Sequence, residues 1–201
     1  FNFLTQIMNN SKQIIKKELK TNRLIIRPFL PNDLEDFYEY AKVEGVGEKA
    51  GWKHHENISE TKRILIHFIN TKTTYALSLR ENGKVIGSMS IEIDKSNSNA
   101  IIIGFALSKD YWNKGFTTEA VKKIINYIFR KTKFDLIKAS HFDHNLQSKR
   151  VIEKCGFTYV EKKKSDKKYV TGYEIVNYYV LKKPKLYKLN RFFNLRKYAW
   201  N

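Results

Sequence analysis

A chain of 201 residues with 42% hydrophobic content can bury one substantial core, and its apolar runs are short and broken by polar residues, which argues against a membrane-spanning helix. The excess of 38 Lys and Arg over 20 Asp and Glu, a formal charge of +18, suits a polyanionic partner such as nucleic acid, an acidic surface or a phosphorylated cofactor, and disfavours polycations. The single cysteine, Cys155, excludes an internal disulfide, fits a reducing compartment and reads as a small buried apolar side chain.

The opening FNFLTQIMNNSKQIIKKELK lacks the order of basic region, apolar core and small-residue cleavage site of an export signal, so residues 1–20 read as an N-terminal extension of a cytoplasmic protein. NRLIIRPF (22–29) predicts a first strand. PNDLEDFYEYA (31–41) follows with Leu34, Phe37, Tyr38 and Ala41 at helical spacing. The next stretch, KVEGVGEKAGWKHHE, is irregular and punctuated by glycine, a candidate substrate wall. Asn57 and Glu60 then form a capping box for a helix carrying Ile64, Leu65, Phe68 and Ile69. TYALSLR (74–80), the turn ENGK and VIGSMSIEI (85–93) predict a hairpin with Met89, Ile91 and Ile93 on one face and Ser88, Ser90 and Glu92 on the other. A turn at 94–99 leads into AIIIGFAL (100–107), an apolar run suited to a strand covered on both faces.

After YWNKG the period becomes helical, with Phe116, Ala120, Val121, Ile124, Ile125 and Ile128 on one stripe as far as about Lys131. DLIKASH (135–141) is the next strand, and the order strand, helix, strand implies a parallel pair with a right-handed crossover. A short helix from Leu146 to Cys155 stops at Gly156. FTYVEK and residues 169–183 supply the last strands, and EKKKSDKK (161–168) reads as a solvated basic surface. Beyond Pro184 the tail 184–201 alternates aromatic and basic residues. Its Leu186, Leu189, Phe192, Phe193 and Trp200 suit packing on the domain, a homodimer contact, RNA or a membrane surface. HFDH (141–144) predicts no metal centre, because adjacent positions point these groups apart.

Gly115 stands where a helix begins after a strand. Such a start presents unpaired backbone N–H groups and the positive end of the helix dipole, which together favour phosphate. A glycine there lets an anion approach the backbone without striking a Cβ, and Lys114 would add a cation.

IGFALSKDYWNKGFTTEAVKKIINYIF, followed by NLQSKRVIEKCGF, resembles the acetyl-CoA-dependent GNAT N-acetyltransferase superfamily, and within it the ribosomal-protein N-terminal acetyltransferase subgroup. TNRLIIRPF, AGWKHH and VIGSMSI strengthen the resemblance over roughly residues 20–182, giving a domain at 21–183. It implies an α+β (mixed α/β) fold in which about four helices flank a mostly antiparallel sheet of about six to seven strands. A splayed parallel pair forms the acetyl-CoA cleft. The pyrophosphate loop of that family maps to Trp112, Asn113, Lys114, Gly115, Phe116 and Thr117, with Thr118 close by, although only the middle glycine matches literally. Phe105, Ala106 and Leu107 would carry the thioester and pantetheine, Asn145 would bond the pantetheine, and Ser148 would lie by the sulfur. Many members protonate the thiolate with a tyrosine, but Ile152 stands at that position and Ser148 takes the role by resemblance.

A neutral amine must attack, and Glu92 is the first candidate base, since the glutamate common in the family is Ile102 here. Trp52, His54 and His55 are candidate substrate-wall residues, the histidines being alternative bases. The expected reaction is acetyl transfer to a protein α-amine or a small amine. A polyamine or aminoglycoside is the rival acceptor if Glu44, Glu48, Glu56 and Glu92 lend local acid. A rival of another class is a non-catalytic module binding nucleic acid or the ribosome through its basic surface.

Overall fold

The computed structural model describes residues 13–185. Among the described residues eight strands form one sheet: β1 Leu19–Lys20, β2 Leu24–Pro28, β3 Thr74–Leu79, β4 Val85–Ile93, β5 Ala100–Leu107, β6 Leu136–Phe142, β7 Thr158–Tyr169 and β8 Gly172–Lys182. Their order is β1-β2-β3-β4-β5-β6-β8-β7, and every neighbouring pair is antiparallel except β5 with β6. Four α-helices accompany them among the described residues: α1 Leu34–Ala41, α2 Ile58–Thr71, α3 Phe116–Lys131 and α4 Leu146–Lys154. The expected mixed sheet and helix number are present. No helix among the described residues is long and apolar enough to cross a membrane.

Alternation along the strands sorts the side chains into two cores. Met89, Ile91, Ile101, Ile103 and Leu107 meet the stripe of Ala120, Val121, Ile124 and Ile128 from α3, where full burial of each isoleucine contributes about 1.5–3 kcal/mol. On the other face Phe29, Phe37, Tyr40, Leu65, Ala76 and Val85 seat α1 and α2. Ser88, Ser90 and Glu92 take that second face, as the period of two requires.

Three features differ from the sequence reading. The sheet has eight strands rather than six to seven, because Leu19 and Lys20 pair with Ile26 and Ile25. The stretch read as an extension at 1–20 therefore joins the domain from residue 13 onward. Ile14 and Ile15 are buried, and the Ile15 N–H donates to the Tyr75 hydroxyl at 3.0 Å. The lysine run at 161–168 lies inside β7 rather than between strands, with the turn at residues 170–171. Lysine suits that position, because β7 is a sheet edge and charge discourages another chain from pairing there. The tail from residue 186, with its apolar stripe, lies outside the described residues.

The parallel pair is short. Only Ala100, Ile101 and Ile102 of β5 pair with Leu136, Ile137 and Lys138 of β6. Beyond them β5 stays with β4 as far as Leu107, while β6 stays with β8 as far as Phe142. The strands separate into a wedge. Lys138 and Asp94 form an ion pair of 2.6 Å at its closed end.

Candidate active site

The wedge continues into a cleft between β5, the start of α3 and α4, and every residue expected to hold the cofactor except Lys114 lines it. Strand geometry decides which backbone groups face inward. The Ser108 N–H turns towards β4, donating to the Ile86 carbonyl at 2.8 Å. Alternation then turns the N–H groups of Leu107 and Phe105 to the side that β6 has left. The Trp112 indole N–H donates to the Leu107 carbonyl at 2.7 Å, which fixes the ring at the head of the cleft.

The loop after Trp112 has left-handed backbone at Asn113 (φ 60°) and Gly115 (φ 80°). The first backbone bond of α3 runs from the Glu119 N–H to the Gly115 carbonyl at 3.0 Å. The amides of residues 116–118 ahead of it have no helical acceptor, which is the arrangement that binds phosphate. The need for glycine differs from the one inferred from sequence. A Cβ at Gly115 would have Arg23 Nη2 as its nearest neighbour, at an ordinary 3.5 Å, so the requirement shown is the positive φ rather than clearance. Lys114 is not among the residues that line the cleft. Its ammonium lies 5.6 Å from the centre of the Tyr111 ring.

On the opposite wall Asn145 caps α4, its Oδ1 accepting the Ser148 N–H at 3.1 Å. Its Nδ2 donates to the Lys49 carbonyl at 3.0 Å, so both ends of this buried amide are committed to the protein. Each end still has one further hydrogen-bonding position, a second N–H and a second lone pair. Ser148 lines the cleft with Gln147, Arg150 and Lys154. Lys49 crosses to meet this wall. Its Nζ donates to Gln147 Oε1 at 2.7 Å and lies 4.5 Å from the centre of the Trp112 ring. Sequence reading passed over Lys49, Gln147, Arg150 and Lys154. The helical spacing of 147, 150 and 154 was a usable signal for the last three, whereas nothing local marked Lys49.

The acceptor side is built from side chains. Glu48 accepts from the Gly45 N–H at 2.6 Å, the His54 N–H at 3.0 Å and His54 Nδ1 at 2.8 Å. Burial pushes its carboxyl up, but these hydrogen bonds outweigh it and hold the pKa at about 2. His54 is half-buried beside it. His55 is buried, its Nδ1 2.8 Å from the Thr61 hydroxyl and its ring against Phe37 and Trp52. Burial lowers its pKa, and it supports Trp52 from beneath. The tip of the β7–β8 hairpin closes this side, where a Cβ at Gly51 would lie only 2.9 Å from the Tyr169 ring. Tyr169 in turn packs edge-on to Phe142. Glu92 is exposed, opposite Ile102 at the closed end of the wedge, and neither it nor Trp52, His54 and His55 line the cofactor cleft.

The remaining reactive groups have other partners. His141 is buried with Nε2 3.3 Å from the Tyr179 hydroxyl, while His144 faces Glu174 at 3.5 Å. No group of His, Cys, Asp or Glu suited to a metal exists among the described residues. Cys155 is half-buried, and burial pushes its thiol up to about 11.

With this geometry in place, comparison with known proteins is consistent across sequence and structure. Residues 23–158 match the family described as "Acetyltransferase (GNAT) domain". The chain is 33% identical over 159 residues to the "Probable N-acetyltransferase YjcK" of Bacillus subtilis (strain 168), covering 69% of this chain and 82% of that one. A GNAT-family acetyltransferase from Bacillus anthracis superposes with a TM-score of 0.75 at 23% identity, over 83% of this chain and 99% of that one. A putative ribosomal-protein-serine acetyltransferase from Vibrio cholerae gives 0.71 at 14% identity, over 83% and 98%.

Proposed function

This chain belongs to the GNAT family as an acetyl-CoA-dependent N-acetyltransferase, and from that premise we propose that it acetylates the α-amine of a polypeptide by direct transfer. The observation that carries the choice of acceptor is the pairing of the carboxylates on the acceptor side. Glu48 is taken by His54, Glu56 by Lys53, Asp94 by Lys138, and Asp143 by Lys162 and Asn177. Among the described residues, a polycation would find little acid there without a basic side-chain partner beyond Glu44, Glu60 and Glu92. An α-amine, with a pKa of about 8, is neutral in roughly a tenth of molecules at pH 7 and needs little help from a base, whereas a lysine near 10.4 needs much more.

Bound acetyl-CoA supplies a thioester whose carbonyl carbon the amine attacks, with the C–S bond breaking as the C–N bond forms. The amides of residues 113–118 would hold its pyrophosphate, and the cations of Arg150 and Lys154 on the facing wall suit its phosphates. The inward N–H groups of Phe105 and Leu107 would donate hydrogen bonds to the thioester carbonyl oxygen as negative charge develops on it. Ser148, on the wall opposite β5, hydrogen-bonds the departing thiolate and relays to it a proton drawn from solvent water, so that its own hydroxyl is restored as the thiol forms. The proton leaving the amine passes along the polar face of β4, by way of water, to Glu92 at its exposed end. Trp52 and His54 line the approach of the acceptor. We place the reaction in the cytoplasm, as a chain with a single cysteine suits a reducing compartment.

The test is a screen of N-terminal peptides, polyamines and aminoglycosides for CoA thiol release, with thermal stabilisation by acetyl-CoA measured in parallel. Turnover on peptides bearing a free α-amine is expected. Preference for polyamines would overturn the acceptor, and salt-sensitive RNA binding with no response to acetyl-CoA would overturn catalysis altogether.

A further inference from the structure

Arg23 stands just before β2, 91 residues from Lys114 and 96 from Glu119, yet it contacts both at the back of the loop before α3. Its backbone N–H donates to Glu119 Oε1 at 2.9 Å and its Nε to Glu119 Oε2 at 2.7 Å. Nη1 donates to the Lys114 carbonyl at 2.9 Å, and the guanidinium lies 4.0 Å from the centre of the Phe116 ring. Arg23 therefore touches the carbonyl before Gly115, the ring after it and the acid of the first helical turn.

The consequence follows from peptide geometry. In a trans peptide the carbonyl and the next N–H point in opposite directions, and the described residues contain no cis bond. Holding the Lys114 carbonyl on the guanidinium therefore aims the Gly115 N–H away from Arg23. Gly115 lines the cleft. A second effect is electrostatic. Glu119 in the first turn suits the helix dipole, but a bare carboxylate there would repel a bound anion. Burial pushes the Glu119 carboxyl up, while hydrogen bonds including those from Arg23 bring it below its ordinary value, so it stays ionised and paired.

We propose that Arg23 is a positioning residue for the acyl donor: from behind the loop, it orients the amides that take the pyrophosphate and masks the charge of Glu119. The proposal rests on residues 113–118 being the pyrophosphate site. A guanidinium fork is needed, since one planar group must reach a carboxylate and a carbonyl together while its face covers Phe116. Lysine retains the charge without the fork.

The experiment compares wild type, Arg23→Gln, Arg23→Lys, Arg23→Gln with Glu119→Gln, and Gly115→Val in the full chain. CoA affinity is read by calorimetry, and donor use is read with both acetyl-CoA and S-acetylpantetheine, which lacks the pyrophosphate. Arg23→Gln should weaken CoA about tenfold, and Arg23→Lys by roughly a third of that factor. Adding Glu119→Gln should recover part of the loss, with kcat/KM for S-acetylpantetheine unchanged in the Arg23 and Glu119 variants. Unchanged CoA affinity in folded Arg23→Gln, while Gly115→Val loses it, would overturn the brace alone. No loss in either variant would overturn the pyrophosphate site beneath it. Equal losses for both donors would mark a general structural role and overturn the proposal. If Arg23→Gln does not fold, Arg23→Lys carries the same comparison.

Discussion

The cofactor side and the acceptor side of the site are made of different material. The cofactor side is mostly backbone: left-handed residues at Asn113 and Gly115, free amides at the start of α3, and the inward edge of β5. The acceptor side is mostly side chains from separate segments: Glu48 with His54, Trp52 over His55, and Tyr169 of a distant hairpin against Gly51. A backbone site serves an invariant ligand, because every chain carries the same amides. A side-chain wall can change with the acceptor while the other stays as it is.

Damage to the two walls should therefore separate in kinetics. The largest effect is expected for Ser148→Ala, which should lower kcat on the order of 100-fold with CoA affinity unchanged. Helix α4 should survive, because Asn145 caps the Ser148 backbone N–H rather than its hydroxyl. Steady-state thiol release beside a CoA titration measures both. Gly115→Val comes next. Forcing a β-branched residue to φ 80° costs at least about 1–2 kcal/mol and spoils the amides, so CoA affinity should drop roughly 30-fold with acceptor KM unaltered.

On the acceptor side, Glu48→Gln keeps one acceptor oxygen but sets an amide donor against either the Gly45 N–H or the two His54 groups, and should raise acceptor KM by roughly tenfold, sparing CoA affinity. The pH dependence gives a second reading of the same residue. The pKa of Glu48 is depressed in the folded state to about 2. Its stabilising contribution is therefore complete above the ordinary carboxylate value and disappears as pH falls through about 2. Acid titration of the loop, followed by Trp52 fluorescence, should show this limb in wild type and lack it in Glu48→Gln. The smallest change is expected for Tyr169→Ala at the hairpin tip, about threefold in acceptor KM and none in CoA affinity. A matching loss of CoA affinity in either acceptor-wall variant would show that the walls act as one unit, with Lys49 as the link between them.

By itself the sequence determined the order of strands and helices from β2 onward, the single parallel pair, and the loop at Gly115, because each is a largely local requirement. Periodicity selects a strand or a helix, and a cap or a positive φ selects a residue type within a few positions. The same locality marked Asn145 as a cap and placed Ser88, Ser90 and Glu92 on one face. Tertiary structure decided the rest. It showed that β1 extends the sheet, that the lysine run lies within an edge strand, that His55 is internal, and that the second end of Asn145 is held by Lys49. It also brought Arg23 behind the loop at Gly115. Such partners lie tens of residues apart and meet only once strand register and helix packing have fixed their positions, so no short stretch of sequence can contain them.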